Sequence, residues 1–580
     1  MKPTRYTQEM VEEYTKRGWW NSTTLADIYD QNAFLYPDKE AMVGYWKGER
    51  RSVTWATFKK MTDRLALGFL ELGLKRDERV LCQLPNCIEN VAVRIALEKA
   101  GLIYCCSAIN SWESENRRFI ERLEPVAVVS LLEYHNRRNY KLFKDLRDSE
   151  RYPAFKHLFL IDPEEETPDD AASIAKMMQI PLDEKYAADY LRRTQVDAYE
   201  VSHIATTTGT TGLPKLIELS ANSLRIHGRA ITERWNITSN DIGFTTALLW
   251  TGPSNPVILG IPQVGGTLIL MESFDPGEAL KIIERERATY YAGLPSQIID
   301  MANHPEFGEQ EAGSLRFFSF AGAPFPAGSA RDCEERFKRP LVNYYGAMDS
   351  FMLFCSEPND PPEIRWGSVG KVAPSWDEFK IVDPKTGEKV PQGKEGLLYW
   401  RGPTGSGGYY RDIERTKEVW GALGLEGWYN TEDIAKVDEE GRVWLVGRAR
   451  DMILRGGQNI FPLEIEELLS THPKVMNASI VPMPDPRLGE KVCAYVIPKK
   501  GDVFSFEEMT AYLEEKGFAK YKWPERLEII QSFPMIGAKV DKRVLISDIC
   551  KKLLKESKVS KEIIESFIET GKLRSEQIEL

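Results

Sequence analysis

The residues best able to do chemistry lie in one short run, Thr206 to Lys215, TTTGTTGLPK. Gly209 and Gly212 let backbone N–H groups turn inward, the clustered Thr hydroxyls donate hydrogen bonds, and Lys215 adds a positive charge. Such a loop can wrap closely around phosphate. It lacks the G-x-x-x-x-G-K-[ST] spacing of the ordinary P-loop, and standing alone it reads as a Gly/Thr-rich hairpin. The acidic stretch Asp162 to Asp170, DPEEETPDD, could gather cations, although a solvated loop or linker is the simpler reading. The 8 cysteines are too few for a disulfide framework, and neither Cys82/Cys87 nor Cys105/Cys106 has the spacing of a zinc pair. They read as small buried residues in a reducing compartment.

The hydrophobic pattern supplies the scaffold. Met42-Val43 and Val53-Thr54-Trp55 read as short strands around a turn at Gly48. Phe58, Met61, Leu65, Phe69 and Leu72 recur at helical spacing, with Gly73 as the stop. A strand at Val80-Leu81-Cys82 and a helix from near Ile88 to Gly101 follow, and the alternation resumes near residue 200. This is the pattern of an α/β layer.

The texture changes in the last part of the chain, to a compact α+β unit. Pro462 opens a helix carrying Ile465, Leu468 and Leu469. Ser505 and Glu508 form a capping box ahead of Met509, Tyr512 and Leu513, with Gly517 at the end. Strands are expected at Ser479-Ile480-Val481 and from Leu527 to Ile530. Past Arg543 come two amphipathic helical patterns, the second with Ile563, Ile564, Phe567 and Ile568. That tail is long enough to pack on the body or on a second subunit in a homodimer.

Lys+Arg total 76 against 87 Asp+Glu, a net charge of -11 that argues against broad binding to nucleic acid or anionic membrane. At roughly 150 residues per domain, the chain suggests about four structural units. No run approaches the ~18 apolar residues of a spanning helix, and the start lacks the apolar core of a signal peptide. The expectation is a soluble, cytoplasmic protein.

The phosphate-type loop does not stand alone. AGAP (Ala321 to Pro324), NYYGAMDS (Asn343 to Ser350), WYNTED (Trp428 to Asp433), GRARDMILRGGQNIFPLEIE (Gly447 to Glu466) and PMIGAKVDK (Pro534 to Lys542) follow in order. Together they resemble the adenylate-forming superfamily of acyl-CoA ligases, peptide-synthetase adenylation domains and beetle luciferases, from about Leu25 to about Arg543. The resemblance implies an α/β fold with a large N-terminal body of α/β subdomains, residues 1–449, and a small mobile α+β C-terminal domain, residues 450–580. It also implies a two-step reaction. A carboxylate attacks the α-phosphate of MgATP to give acyl-AMP and pyrophosphate, and a thiol then attacks the acyl carbon and releases AMP.

Each motif carries over residue by residue. Thr208, Gly209, Thr210, Thr211 and Gly212, with Lys215, match the family's phosphate loop. Gly322, Ala323 and Pro324 with Asn343, Tyr344 and Tyr345, next to Gly346, match the adenine wall. Asp349 stands where the family usually has Glu and could ligate Mg²⁺, a hard cation that prefers oxygen. Met348 replaces the usual Thr. Asp433 matches the ribose-binding Asp, although Glu432 stands in place of the preceding Gly, and Arg448 matches the nucleotide-contacting Arg. Lys539 aligns with the catalytic lysine and is preferred over Lys542. Its loop departs from the family, being one residue short with Ala538 in place of Gly. Arg450 falls at the hinge, and Gly456 and Gly457 match the coenzyme A tunnel.

The acid pocket maps to Leu249, Trp250, Thr251, Tyr291, Phe320 and Met348, a bulky and mostly apolar set with no cation for a second carboxylate. This favours a compact cyclic or aromatic monocarboxylate, benzoate-like or cyclohexene-carboxylate-like, with ATP, Mg²⁺ and coenzyme A as the other participants. A stand-alone enzyme loading a carrier protein is the second reading and luciferase-type oxidation the third. A nucleotide sensor that has lost catalysis is the alternative from a different class.

Overall fold

The computed structural model describes residues 1–207, 215–305, 307–308, 312–536, 539–569 and 572–573. Two large sheets dominate the first three quarters of the chain. One has nine strands, and its centre runs through Leu341–Tyr345, Phe317–Phe320, Tyr290–Gly293, Ile242–Thr245 and Thr267–Met271, all parallel. The other has eight strands around Lys215–Ser220, Val201–Thr207, Ile103–Ser107 and Arg79–Gln83.

Strand side chains alternate faces, and here each sheet buries both. Val80, Cys82, Tyr104 and Val129 of the eight-stranded sheet share one core with Met42, Leu268, Leu270 and Tyr290 of the nine-stranded sheet. Their neighbours Leu81, Ile103, Cys105 and Val128 face a separate core on the far side. Val43, Ile269, Tyr291 and Phe318 do the same on the other sheet. Helices Leu25–Leu35, Trp55–Glu71, Ile88–Lys99 and Ala221–Trp235 contribute to the shared core.

Helix Ile88–Lys99 is buried at every position. Its charged residues are accordingly paired: Arg94 with Glu98 at 2.9 Å, and Lys99 with Asp30 and Asp63 at 2.6 Å each. An unpaired charge in that setting would cost several kcal/mol, on the order of a small domain's whole stability.

The expected early elements are present, with one boundary moved. Strands Glu40–Trp46 and Glu49–Thr54 meet at a turn through Lys47 and Gly48, but Trp55 opens the next helix instead of ending a strand. Thr54 is the reason, because its hydroxyl accepts the backbone N–H of Thr57 and caps the helix. The acidic stretch is tied down. Asp162 accepts the Leu132 N–H at 2.6 Å, and Asp170 pairs with Arg147 at 2.7 Å. Among the described residues no group of three or more His, Cys, Asp or Glu side chains could hold a metal ion, and all eight cysteines are free thiols. No helix among the described residues is long and apolar enough to cross a membrane.

A four-stranded antiparallel sheet, Glu378–Val382, Gly396–Arg401, Tyr429–Val437 and Val443–Arg448, precedes the last unit. There a five-stranded sheet is covered on one face by Pro462–Ser470 and Phe506–Glu515, through Ile465, Leu469, Met509 and Leu513. The tail helices Lys542–Lys555 and Lys561–Glu569 cover its other face through Leu545, Ile549, Ile564 and Phe567. The tail thus packs on the sheet of its own unit. The Ser505–Glu508 capping box is formed with both reciprocal bonds.

Candidate functional site

Asp433 and Arg448 are register partners on adjacent antiparallel strands, so the sheet brings them together. Arg448 Nε lies 3.2 Å from Asp433 Oδ1, and the Tyr345 hydroxyl donates to Asp433 Oδ2. Burial raises the Asp433 carboxyl above its usual range, and the Arg448 charge opposes that rise. Glu432 has φ +61°, the left-handed region that glycine adopts without penalty. Its N–H is taken by Asn430 Oδ1 at 2.9 Å. The chain thus makes with a glutamate a turn that a glycine would make without strain.

Asp349 is held by segments far apart in sequence. Its Oδ2 pairs with the Lys215 ammonium and accepts the Tyr409 hydroxyl at 2.6 Å. Its carbonyl oxygen accepts the Ser406 hydroxyl at 2.6 Å. Burial beside Asp349 pushes the Tyr409 hydroxyl pKa up, which keeps it a donor. Tyr409 and Ser406 were not singled out from sequence. The glycine-rich run ahead of the Tyr409-Tyr410 pair was the available signal. Thr208, Gly209, Thr210, Thr211 and Gly212 lie outside the described residues. Thr207 and Lys215, which flank them, are register partners of an antiparallel pair.

The motif from Asn343 is split by strand alternation. Tyr345 faces Asp433, whereas Tyr344 is buried on the opposite side, where its hydroxyl lies 2.5 Å from His227 Nε2 and 3.4 Å from Asn255. Tyr344 is therefore not on the same wall as Tyr345. His227, on helix Ala221–Trp235, is kept neutral by burial, its pKa pushed down to about 3. Asn343 instead donates to the Ser368 carbonyl at 2.8 Å. Gly322 has φ +88°, so the Gly322-Ala323-Pro324 turn needs its glycine. At Gly346 a Cβ would come within 2.4 Å of the Met352 carbonyl oxygen, so the backbone turns there only without a side chain. Met348 is half-buried, packed against the shared core.

Of the residues expected around the acid, Leu249 is buried in the core shared by the two sheets, with Met348 packed against it, whereas Tyr291 and Phe320 are buried in the separate core on the far face of the nine-stranded sheet, so the structure does not bring them onto one wall. The Tyr291 hydroxyl lies 2.5 Å from Thr246 Oγ1, and Thr251 donates to the Leu248 carbonyl at 2.5 Å. Trp250, with φ +63°, turns into the core. Its indole N–H donates to Asn90 Oδ1 at 3.0 Å, and its ring meets His203 and Tyr104 at 5.7 Å each.

Lys539 lies on the second strand of the antiparallel pair Met535–Ile536 and Lys539–Val540, and Ala538 lies outside the described residues. The Lys539 side chain keeps contact with solvent, yet its surroundings push its pKa down to about 8. Desolvation is the main cause, followed by the Arg448 charge, while Asp433 and more weakly Asp349 oppose it. The lysine thus sits in the field of both site carboxylates. Lys542 pairs with Glu466 at 2.7 Å instead. Gly456 and Gly457 have φ +57° and +88°. A Cβ on Gly456 would meet Leu488 at 3.1 Å, whereas one on Gly457 would meet nothing within 4 Å. Just past Arg450, Lys572 of the tail donates to the Met452 carbonyl and to Glu490, at 2.6 Å each.

Residues 29–410 match the model of the AMP-binding enzyme family. The chain belongs to this family. Residues 464–538 of this AMP-binding enzyme match the family's C-terminal domain. It is 30% identical to the medium-chain fatty-acid–CoA ligase of Escherichia coli (strain K12), with 95% of each chain covered. It is also 30% identical to the 2,3-dihydroxybenzoate-AMP ligase of Bacillus subtilis (strain 168), over 95% of this chain and 98% of the other. ATP-bound MatB from Rhodopseudomonas palustris shares its fold, with a TM-score of 0.78 and 23% identity over 91% of this chain and 99% of that one. This AMP-binding enzyme is an ATP-using, AMP-forming acid–thiol ligase.

Proposed function

We propose that the enzyme activates a compact apolar cyclic or aromatic monocarboxylic acid with MgATP and transfers the acyl group to coenzyme A. The observation that carries the activation step of this reading is Lys539, a lysine of the C-terminal part lying in the combined field of Arg448, Asp433 and Asp349. A cation there suits the junction of two anions, the incoming carboxylate and the α-phosphate.

In the first step a carboxylate oxygen attacks the α-phosphorus, the bond to the β-phosphate oxygen breaks, and pyrophosphate leaves. Lys539 bridges the carboxylate and the α-phosphate, Asp433 receives the ribose hydroxyls, and Tyr345 covers the base. A single protein carboxylate suits Mg²⁺, which binds through one or two carboxylates together with substrate phosphates. Asp349 Oδ2 is taken by the Lys215 ammonium and the Tyr409 hydroxyl, so Oδ1 is the oxygen that would hold the ion, a hard donor of the kind Mg²⁺ takes. Bound there, Mg²⁺ would neutralise charge on the phosphate oxygens.

In the second step the thiol sulfur bonds to the acyl carbon, the bond from that carbon to the phosphate oxygen of the mixed anhydride breaks, and AMP leaves as the thiol proton passes to solvent. A turn of the C-terminal domain about Arg450 would withdraw Lys539 and bring Gly456 and Gly457 to the acyl-AMP. The bonds from Lys572 to Met452 and Glu490 support rotation as one piece from just past Arg450.

The apolar character of Leu249 and Met348, which share one core, supports an acid without a second charge. The fatty-acid ligase among the relatives favours a medium-length straight-chain acid as the second reading. Acid-dependent ATP–pyrophosphate exchange across cyclic, aromatic and straight-chain acids decides between them. Exchange is expected to peak on a cyclic or aromatic acid and to vanish in Lys539→Ala; a peak on straight chains overturns the first reading. Arg450→Pro is expected to keep exchange and lose acyl-CoA formation. Equal loss of both would count against the hinge.

A further inference from the structure

The segment ahead of the family match grips the loop that holds Asp349. Arg5 N donates to the Gly407 carbonyl at 2.7 Å, and Arg5 Nε to the Ser406 carbonyl at 2.8 Å. The Tyr6 hydroxyl donates to the Gly405 carbonyl at 2.8 Å, and the Trp20 indole to the Pro403 carbonyl at 2.9 Å. Four nearby carbonyls of one loop thus take their donors from residues 5–20. The Arg5 guanidinium stacks on Trp420, 3.8 Å from the ring centre.

The loop is shaped to receive this strap. A Cβ on Gly405 would come within 2.6 Å of Arg5 NH2, and one on Gly407 within 2.6 Å of Pro3 Cβ. A side chain at Gly407 would meet the Pro3 ring, and one at Gly405 would displace the Arg5 guanidinium. Glu218 joins the two from below: its carboxylate accepts the Thr4 N–H at 2.6 Å and its carbonyl the Gly407 N–H at 2.7 Å.

The far side of the loop meets the site. Ser406 donates its N–H to the Ser350 carbonyl at 2.9 Å and its hydroxyl to the Asp349 carbonyl at 2.6 Å. Two residues past Gly407, Tyr409 donates to the Asp349 carboxylate. We infer that Arg5 is a positioning residue, which sets the aim of the Asp349 carboxylate through the backbone of Ser406 and so tunes the enzyme's use of the metal that accompanies ATP. The inference rests on the reading of Asp349 as the metal-holding carboxylate.

Its test is nucleotide binding, which needs no acid. ATP affinity is measured by calorimetry with Mg²⁺ and with a chelator, alongside the melting temperature. The variants are Arg5→Ala, Arg5→Lys and the control Glu13→Ala, whose side chain only pairs with Arg17 on the surface. In Arg5→Ala, which keeps the backbone bond to Gly407 and loses the Nε bond to Ser406, the gain in ATP affinity from Mg²⁺ is expected to shrink about fivefold, the worth of about one hydrogen bond. Arg5→Lys, which keeps a cation over Trp420, is expected to fall between, and Glu13→Ala to match the wild type. If Arg5→Ala does not fold, Arg5→Lys decides alone by the same criterion. An unchanged Mg²⁺ gain with a lowered melting temperature would make the strap merely structural and overturn the inference, as would a wild type with no Mg²⁺ gain. Failure of the acid-ligase reading looks different: no acid supports exchange, while Mg²⁺-dependent ATP binding remains.

Discussion

Asp433 and Asp349 both act on Lys539, but one sits on a rung of an antiparallel sheet and the other on loops drawn from distant segments. Asp433 has its cation directly across the ladder, on the next strand. Asp349 draws its partners from 134 and 60 residues away, Lys215 and Tyr409, with Ser406 steadying its backbone. A ladder fixes geometry through many backbone bonds, so one side-chain change leaves the frame intact. A carboxylate hung on loops depends on each contact. Asp433 is the stronger electrostatic element, and Asp349 the more adjustable one.

That contrast can be broken by experiment. The largest effect is expected from Asp433→Ala, which leaves the Arg448 guanidinium without its carboxylate and removes the ribose acceptor. ATP affinity should fall roughly 30-fold, about 2 kcal/mol, by direct titration. A loss below about threefold would deny Asp433 its assigned place.

The next effect concerns pH. Lys539 loses its proton as pH rises through about 8, so adenylation should fall on that limb, roughly tenfold per pH unit beyond it. Both carboxylates favour the ammonium form, Asp433 the more strongly. Asp433→Asn should therefore move the limb to lower pH further than Asp349→Asn does. The reverse order, in pH profiles of pyrophosphate exchange, would invert the comparison.

Tyr409→Phe removes one donor from Asp349 and no charge, and should weaken MgATP binding about fivefold while leaving metal-free ATP binding nearly unchanged. The smallest effect is on the ladder side. Glu432→Gly relieves a left-handed backbone angle and should stabilise the protein by about 1 kcal/mol in denaturant unfolding, with ATP affinity unchanged. Destabilisation would mean that the Glu432 side chain has a role of its own.

Much of the local architecture was legible in the chain. The helical spacing of Phe58, Leu65 and Phe69, the Ser505–Glu508 box and the strand at Val80 to Cys82 all appear where the pattern puts them. Local propensity and capping act within a few residues, so a pattern can report them. The complete burial of helix Ile88–Lys99 was not legible, because Glu89, Arg94, Glu98 and Lys99 read as solvent-facing until their partners are known. Trp250 is a similar case. Its pairing with Asn90 and contact with His203 depend on which way one residue at positive φ directs its ring.

The sequence by itself determined the motifs and their order, which carry the resemblance to the family, and the alternation of strand and helix patterns that makes an α/β layer. That alternation follows from residue type and spacing alone. Only the tertiary structure decided which groups share a site. It sent Tyr345 to Asp433 and Tyr344 to His227, brought Lys215 and Tyr409 onto Asp349, and set the Arg5 strap against the loop of Ser406. The physical reason is distance along the chain. Contacts between residues hundreds of positions apart are chosen by the packing of whole sheets and helices, which no local pattern records.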